Sequence, residues 1–378
     1  MNISFQKLFY AIATTFSLFA IMVLAKSILI PLGFAMLIAF MLYPLVKKFE
    51  SWGMNEIFAT FLSLLTVFIV LGGGVYLFST QVIDLAKDFS DFQHKIINIF
   101  SEVSVFINQN LKFIPNLEKA DIINQLKTWL SGSSGTMISN TVSGTTNIFT
   151  GLFATLVFTF LILIYRTGLT RAFSTFAPER NRDKVVDMFK KVQQVGQQYS
   201  IGMGILIIII GLANSIGLLI IGLDNPFLFG FLGAILAIIP YIGTATGALI
   251  PILYAFITYN SLGMALAVAG LFWIVQLVTD NFLSPKIVGG SMNINALTAI
   301  LSLFVGAAVW GVAGMILFLP FAAMLKIICE EFEELKPIAL LIGNDNYQEK
   351  DHKNSRVNKW FRKLKAKFSK SKSDADEG

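Results

Sequence analysis

The feature that most restricts the fold of this chain is a series of long apolar runs. A helix needs about 20 residues to cross about 30 Å of hydrocarbon, and runs of this kind cover 8 to 25, 27 to 45, 57 to 83, 147 to 165, 198 to 221 and 261 to 283. Only 14% of the residues are charged, whereas a soluble domain has about 25%. The sequence therefore predicts an all-α, polytopic integral membrane protein.

Two further runs, 226 to 258 and 294 to 328, do not fit a simple crossing. As straight helices each would be about 50 Å long, too long for one crossing and too short for two. Each is interrupted near its middle, by "PYIG" and by "WGVAG" respectively. Both are predicted to be helical hairpins from this length and interruption. In the first run a proline inside the helix would cost roughly 3 kcal/mol. The residues expected to break or shape them are Pro240, Gly243, Gly247, Pro251, Pro285, Gly311, Gly314 and Pro320.

Positive charge predicts the orientation, because Lys and Arg accumulate in cytoplasmic loops. Basic residues lie at Lys7, at Lys47 and Lys48, in the segment 166 to 191, and in the tail from 359 to 370. This pattern places both termini in the cytoplasm. It gives about eight crossings if 226 to 258 is re-entrant and ten if that run crosses twice, and charge alone leaves both open. Residues 8 to 25 are interpreted as a retained span, with a cleaved signal peptide as the alternative.

Four regions follow from this pattern: three spans in 1–83, an extracytoplasmic helical segment in 84–146, a transmembrane core in 147–343 and a basic cytoplasmic tail in 344–378. Apolar residues between 85 and 106 recur at heptad spacing, which indicates an amphipathic helix that packs within the chain or against another subunit. The tail contains "RVNKWFRKLKAKF". That composition is typical of a helix lying on anionic lipid, and a disordered basic tail is the alternative.

Common catalytic motifs are missing from the sequence. There is no GxxxxGK[ST], no HExxH and no GxSxG, and His94 and His352 fall outside the apolar runs. No catalytic residue, metal site or cofactor is therefore expected. The net charge of +6 follows membrane orientation and does not indicate nucleic-acid binding.

The remaining candidates for function are polar residues inside apolar runs. A carboxylate in a spanning helix costs about 2.5 to 3.5 kcal/mol, so Asp280 is the leading candidate for a proton, cation or substrate site. Its neighbours Gln276 and Asn281 offer hydrogen bonds, and Asn214, Tyr241, Thr244 and Thr246 complete the predicted pathway. The alternatives are that Asp280 caps backbone or pairs with Lys286 at the interface, and that the other residues only join helices.

Two segments together resemble the autoinducer-2 exporter family, also called PerM-type permeases. They are "IPYIGTATGALIP" (239 to 251) and the region from "DNFLSPKIVGG" to "LPFAAML" (280 to 325). The prolines at 240, 251, 285 and 320 and the glycines at 243, 247, 289, 306, 311 and 314 match the family pattern. Two positions depart from it: Thr244 stands where a proline is frequent, and Asn295-Ala296 where His-Pro is frequent.

The resemblance implies a multi-pass protein of the cytoplasmic (inner) membrane that assembles as a homo-oligomer, with a pentamer as the suggested size. It also implies export of a small hydrophilic solute or ion, with proton or sodium coupling in some members. The leading prediction is a secondary transporter or exporter. A non-transporting oligomeric membrane scaffold and a passive channel are the alternatives.

Overall fold

The computed structural model describes residues 5–87, 150–240, 242–288 and 292–343. Within these ranges the elements are all helical, apart from one isolated β-bridge between Ile294 and Gly343. Seven of the described helices are long and apolar enough to cross a membrane. The prediction of an all-α polytopic membrane protein is confirmed. Residues 88–106 of the predicted heptad seam and the whole basic tail lie outside the described residues. The roles of the seam and the tail therefore stay predictions.

The described helices are, in chain order, α1 (Phe5–Leu24), α2 (Lys26–Ser51), α3 (Glu56–Lys87), α4 (Thr150–Thr175), α5 (Arg182–Ile221), α6 (Pro226–Leu236), α7 (Ile242–Tyr259), α8 (Leu262–Val278), α9 (Ser284–Ile287), α10 (Ala296–Trp310), α11 (Val312–Glu331) and α12 (Lys336–Ile342). A π-helical segment, Thr279–Leu283, joins α8 to α9. Short 3-10 turns precede α5 and α12.

The junction of α1 and α2 is a bend at a single residue, Ala25. Its N–H donates to Ile21 at 2.8 Å, and its carbonyl accepts from the N–H of Leu29 at 2.9 Å, so the helical bonding continues on both sides. The carbonyl of Met22 accepts instead from the indole of Trp310 at 2.9 Å. Antiparallel helices are usually joined by two to five residues. The two crossings predicted for 8 to 25 and 27 to 45 are therefore joined by a bend instead of a loop. The side of the membrane on which Lys7 lies stays a prediction.

Helix α5 is the central axis of the described bundle. It packs against α2, α6, α8, α9 and α11, and Leu206, Ile210 and Leu218 are buried along it. Its 40 residues extend about 60 Å, twice the hydrocarbon thickness. The helix begins at Arg182, well before the predicted 198. Its basic first half therefore projects beyond the apolar layer.

Helices α2, α3 and α4 meet at a charged cluster. Arg166 of α4 forms an ion pair with Glu50 of α2 and a longer one, 3.5 Å, with Glu56 of α3. Its guanidinium also lies 5.8 Å from the ring centre of Tyr43. The Arg166 and Glu50 side chains are only 14% and 16% exposed, so the pair is largely shielded from water. The cluster ties the end of α2 and the start of α3 to Arg166 within α4.

The run 226–258 forms an antiparallel pair of helices, α6 and α7, as predicted. The rings of Phe229 and Tyr254 are 4.7 Å apart. Nearer the turn, a Cβ built on Gly247 would lie 2.9 Å from the Cα of Gly233. Because these contacts pair the end of α6 with the start of α7, residues 237–240 lie at the tip of this first hairpin.

The run 294–328 also contains an antiparallel pair, α10 and α11. Gly311 turns the chain at φ +61°, a conformation that residues with a Cβ rarely adopt. The rings of Trp310 and Phe318 meet edge to face at 5.3 Å, and a Cβ on Gly306 would lie 2.6 Å from the carbonyl carbon of Gly314. The second hairpin therefore has a tight turn and closely packed legs.

Two of the predicted breaking residues do not break a helix. Pro251 lies inside α7 and Pro320 inside α11, and both helices continue through them. Both prolines are fully buried, where neighbouring helices pack around the distorted backbone. Pro285 lies two residues after the π-segment, in a helix that continues from Leu262 to Ile287, so it accompanies a local change in helix geometry without ending the helix.

Candidate functional site

A cavity of about 790 Å³ lies where the tip of the first hairpin meets α5 and the π-helical segment. The base of the first hairpin lies at the end of α5, next to Ile221. There the Tyr259 hydroxyl donates to the carbonyl of Gly222 and accepts from the N–H of Asp224. The tip of the hairpin reaches the level of Tyr199 and Met203, which line the cavity. From Leu262, α8 descends about 27 Å to the level of Asp280. The cavity therefore lies at the end of the bundle opposite the hairpin's base.

The walls of the cavity are mostly apolar. They include Met203, Leu206, Ile207, Ile210, Ala234, Ile238, Met292 and Leu319. The polar side chains that line it are Tyr199, Thr244, Gln276, Thr279, Asp280 and Ser284. An apolar chamber with a few convergent polar groups is the usual form of a small-molecule site.

Asp280 is the only charged residue among the described residues that line the cavity. The amide nitrogen of Gln276 donates to one of its carboxylate oxygens at 2.8 Å. This bond orients the carboxylate and leaves its other oxygen free to accept from a bound proton donor or to contact a cation. Asp280 can therefore serve as the charged group of a binding site.

The backbone at Asp280 is itself irregular. Residues Thr279–Leu283 are π-helical, and single π-turns inside α-helices occur often at functional sites. The Thr279 hydroxyl donates to the carbonyl of Val275 at 2.8 Å, and the amide of Asn281 donates to Leu277 at the same distance. Both side chains bond carbonyls of the preceding turn, where the π-segment displaces the regular bonding pattern.

Three of the seven predicted pathway residues come together in the cavity: Asp280, Gln276 and Thr244. Pro240 lies there too, at the hairpin tip, and the N–H of the neighbouring Gly243 closes the turn onto Ile239 at 3.0 Å. The predicted alternative, a pair between Asp280 and Lys286, does not form. The lysine lines a separate groove instead.

The other predicted residues lie elsewhere. Asn281 is exposed within the π-segment, and the Thr246 hydroxyl donates to the carbonyl of Ile242 within its own helix at 2.8 Å. Asn214 is buried on α5, and its amide oxygen has no partner among the described residues. Tyr241 lies outside the described residues.

The sequence did not lead to three of the polar lining residues: Tyr199, Thr279 and Ser284. Tyr199 follows "VGQQ", where α5 changes from polar to apolar, and a tyrosine at such a boundary could have been singled out. Thr279 and Ser284 stand three and eight residues after Gln276, on the helical face that carries Asp280, and this spacing could have indicated them. Among the described residues, no three His, Cys, Asp or Glu side chains cluster as a metal site would require.

Comparison with known proteins gives one family. The family model described as "AI-2E family transporter" matches residues 9–334. The chain is 24% identical over 328 residues to the AI-2 transport protein TqsA of Escherichia coli, covering 85% of this chain and 91% of TqsA. It is also 26% identical to YueF of Bacillus subtilis over 330 residues, with 84% and 88% covered. YrrI of the same organism is 24% identical over 327 residues, with 82% and 88% covered.

Proposed function

The chain belongs to the AI-2E transporter family, and from this we propose that it is a secondary transporter that exports a small hydrophilic solute or ion across the cytoplasmic membrane without ATP. A role in membrane transport is common to the family. The solute, the direction and the coupling ion are the proposed part. The oligomeric assembly implied by the resemblance belongs to the same proposal.

The observation that carries the proposal is the position of Asp280. This carboxylate lies on an irregular helical segment, beside a hairpin tip, in a cavity whose described lining holds no other charge. Transporters commonly place binding groups where helices are discontinuous, because the backbone there can approach a solute. A single carboxylate in such a site is well suited to take up a proton or a sodium ion.

Solute binding would use the neutral polar groups around this carboxylate. The hydroxyls of Tyr199, Thr244 and Ser284 can donate and accept hydrogen bonds, and the apolar walls can contact the nonpolar parts of a solute. Neutralising Asp280 with a proton or cation lowers the cost of moving the loaded site through hydrocarbon. Binding of the ion would in this way favour movement of the solute.

The test is transport into proteoliposomes with imposed proton and sodium gradients. The solute panel begins with AI-2, the solute in the name of TqsA. The wild-type protein should accumulate one solute against that solute's own concentration gradient when an ion gradient is present. Asp280→Asn should remove that accumulation. The matched control Asp187→Asn, the same change at an exposed site on α5, should leave it intact.

Each other outcome has a definite meaning. Ion-driven accumulation by Asp280→Asn would refute the coupling role of Asp280. Flux that runs only down the solute's own electrochemical gradient would instead identify a passive channel. Absence of flux for every solute and ion would favour the non-transporting scaffold.

A further inference from the structure

A second, more polar groove lies on the side of α9 that faces away from the cavity. It has a volume of about 480 Å³ and lies between α5 and α9. Gln197, Gln198 and Lys286 supply its polar groups, and Ile201, Ile205 and Ile287 its apolar wall. Lys286 is exposed and forms no ion pair with any residue that the structure describes. The groove thus presents an uncompensated positive charge beside two amide donors.

The groove sits where α5 passes from water into hydrocarbon. On the N-terminal side of the groove, α5 carries Lys190, Lys191 and Gln194. On the C-terminal side an exposed apolar stripe begins. The stripe consists of Ile205, Ile208, Leu212, Ile216 and Leu219, whose side chains are 43% to 59% exposed. Their spacing of three and four residues keeps them on one face for about 21 Å, more than half of the hydrocarbon thickness. This face is suited to contact acyl chains.

We propose that this groove binds the headgroup of an anionic phospholipid. The Lys286 ammonium would pair with the lipid phosphate, and the amides of Gln197 and Gln198 would donate to its oxygens. The acyl chains would follow the apolar stripe of α5. Basic pockets between spanning helices on the cytoplasmic side recognise anionic headgroups by the same chemistry.

The groove shares its wall with the transport cavity. Ser284, Pro285 and Val288 face the cavity, whereas Lys286 and Ile287 face the groove. Behind them the wall packs tightly on α5, since a Cβ on Gly202 would lie 3.1 Å from the carbonyl oxygen of Ile287. A bound lipid would therefore fix the position of the cavity wall. This lipid site does not depend on which solute is transported.

The test measures lipid binding to the full chain in detergent by native mass spectrometry. The probes are dioleoylphosphatidylglycerol and, as the neutral comparison, dioleoylphosphatidylcholine. Wild type should prefer the anionic lipid, and Lys286→Gln should weaken its binding about tenfold, as expected from loss of one charge-assisted contact. The control Lys190→Gln, on an exposed lysine of α5 paired with Asp187, should keep the preference. Lys286→Arg should restore it, because the charge is retained.

Three results would overturn the proposal. Lys286→Gln could retain the full preference, or Lys190→Gln could lose as much, which would indicate general attraction to positive charge. Inorganic phosphate at millimolar concentration could also displace the lipid completely, which would identify a phosphate ion site. The basic tail is present in every variant, so its contribution cancels in the comparison.

Discussion

At the scale of single residues, the spacing of the first hairpin depends on two glycines. The backbones of Gly233 and Gly247 approach so closely that a Cβ on Gly247 would lie 2.9 Å from the Cα of Gly233. That atom is backbone and cannot rotate away. Only a pair without side chains permits this approach, and the hairpin tip that borders the cavity is held by it.

Replacing Gly247 by alanine should therefore force the two legs of the hairpin apart. We expect Gly247→Ala to destabilise the protein by about 1–3 kcal/mol, the usual cost of overpacking. Gly270→Ala is the matched control, because Gly270 lies inside α8 and a Cβ there would meet nothing within 4 Å. It should be neutral, or stabilising by up to about 1 kcal/mol. Thermal unfolding in detergent measures both, and equal melting temperatures for the two variants would contradict the close-packing account.

Sequence reasoning identified some site residues and misplaced others for a geometric reason. Asp280 was identified because a carboxylate in an apolar run needs an explanation. Thr244 and Thr246, however, stand about 200° apart around one helix, so one cavity cannot receive both. The structure directs Thr244 to the cavity and leaves Thr246 exposed.

At the scale of elements, α12 folds back against the segment that precedes α10. The Asn295 amide donates to the carbonyls of Leu341 and Gly343 at 2.7 and 2.9 Å. Its oxygen accepts from the N–H of Thr298 at 2.8 Å and so caps α10. The ammonium of Lys326 pairs with Glu330 at 2.9 Å close to this junction. The Asn295 side chain thus caps the start of α10 and also holds the end of α12 through two hydrogen bonds.

These two roles of Asn295 can be separated by substitution. Asn295→Asp keeps the oxygen that caps α10 but loses both donors, whereas Asn295→Ala loses cap and donors together. We expect both variants to speed hydrogen exchange in 336–343, by an amount equivalent to about 1–3 kcal/mol for two bonds. Only the alanine variant should also speed exchange at the start of α10, because a lost cap costs about 1 kcal/mol. Unchanged exchange in 336–343 would show that other contacts hold α12.

The elements themselves were predictable to different degrees. Both hairpins followed from run length, and Gly311 marked the second turn. Proline was a poorer guide, since α7 and α11 continue through Pro251 and Pro320. The π-segment was not predicted, although Pro285, which cannot donate a backbone hydrogen bond, follows it by two residues.

At the scale of the whole molecule, charged contacts join the helices near the end of the bundle where α2 and α11 end. The Arg166 cluster joins α2, α3 and α4, and Lys191 of α5 pairs with Glu331 of α11 at 3.5 Å. The opposite end of α5 carries the base of the first hairpin at Asp224. The positive-inside rule predicts that the first end faces the cytoplasm.

This orientation can be tested with single cysteines, because the native Cys329 is the only cysteine and is buried. In a Cys329→Ala background, Asp224→Cys should react with a membrane-impermeant maleimide on intact cells. Arg180→Cys, exposed in the turn before α5, should react only after the membrane is permeabilised. The opposite pattern of labelling would invert the assigned orientation.

The π-segment places one extra residue in the path of a helix, and each residue advances a helix by about 100°. Everything after Leu283 is rotated accordingly, so that Pro285 meets the cavity and Lys286 the groove. The two surfaces therefore share one rotational phase. A substitution can alter either surface alone, but deleting a single residue within 279–283 would turn both away together.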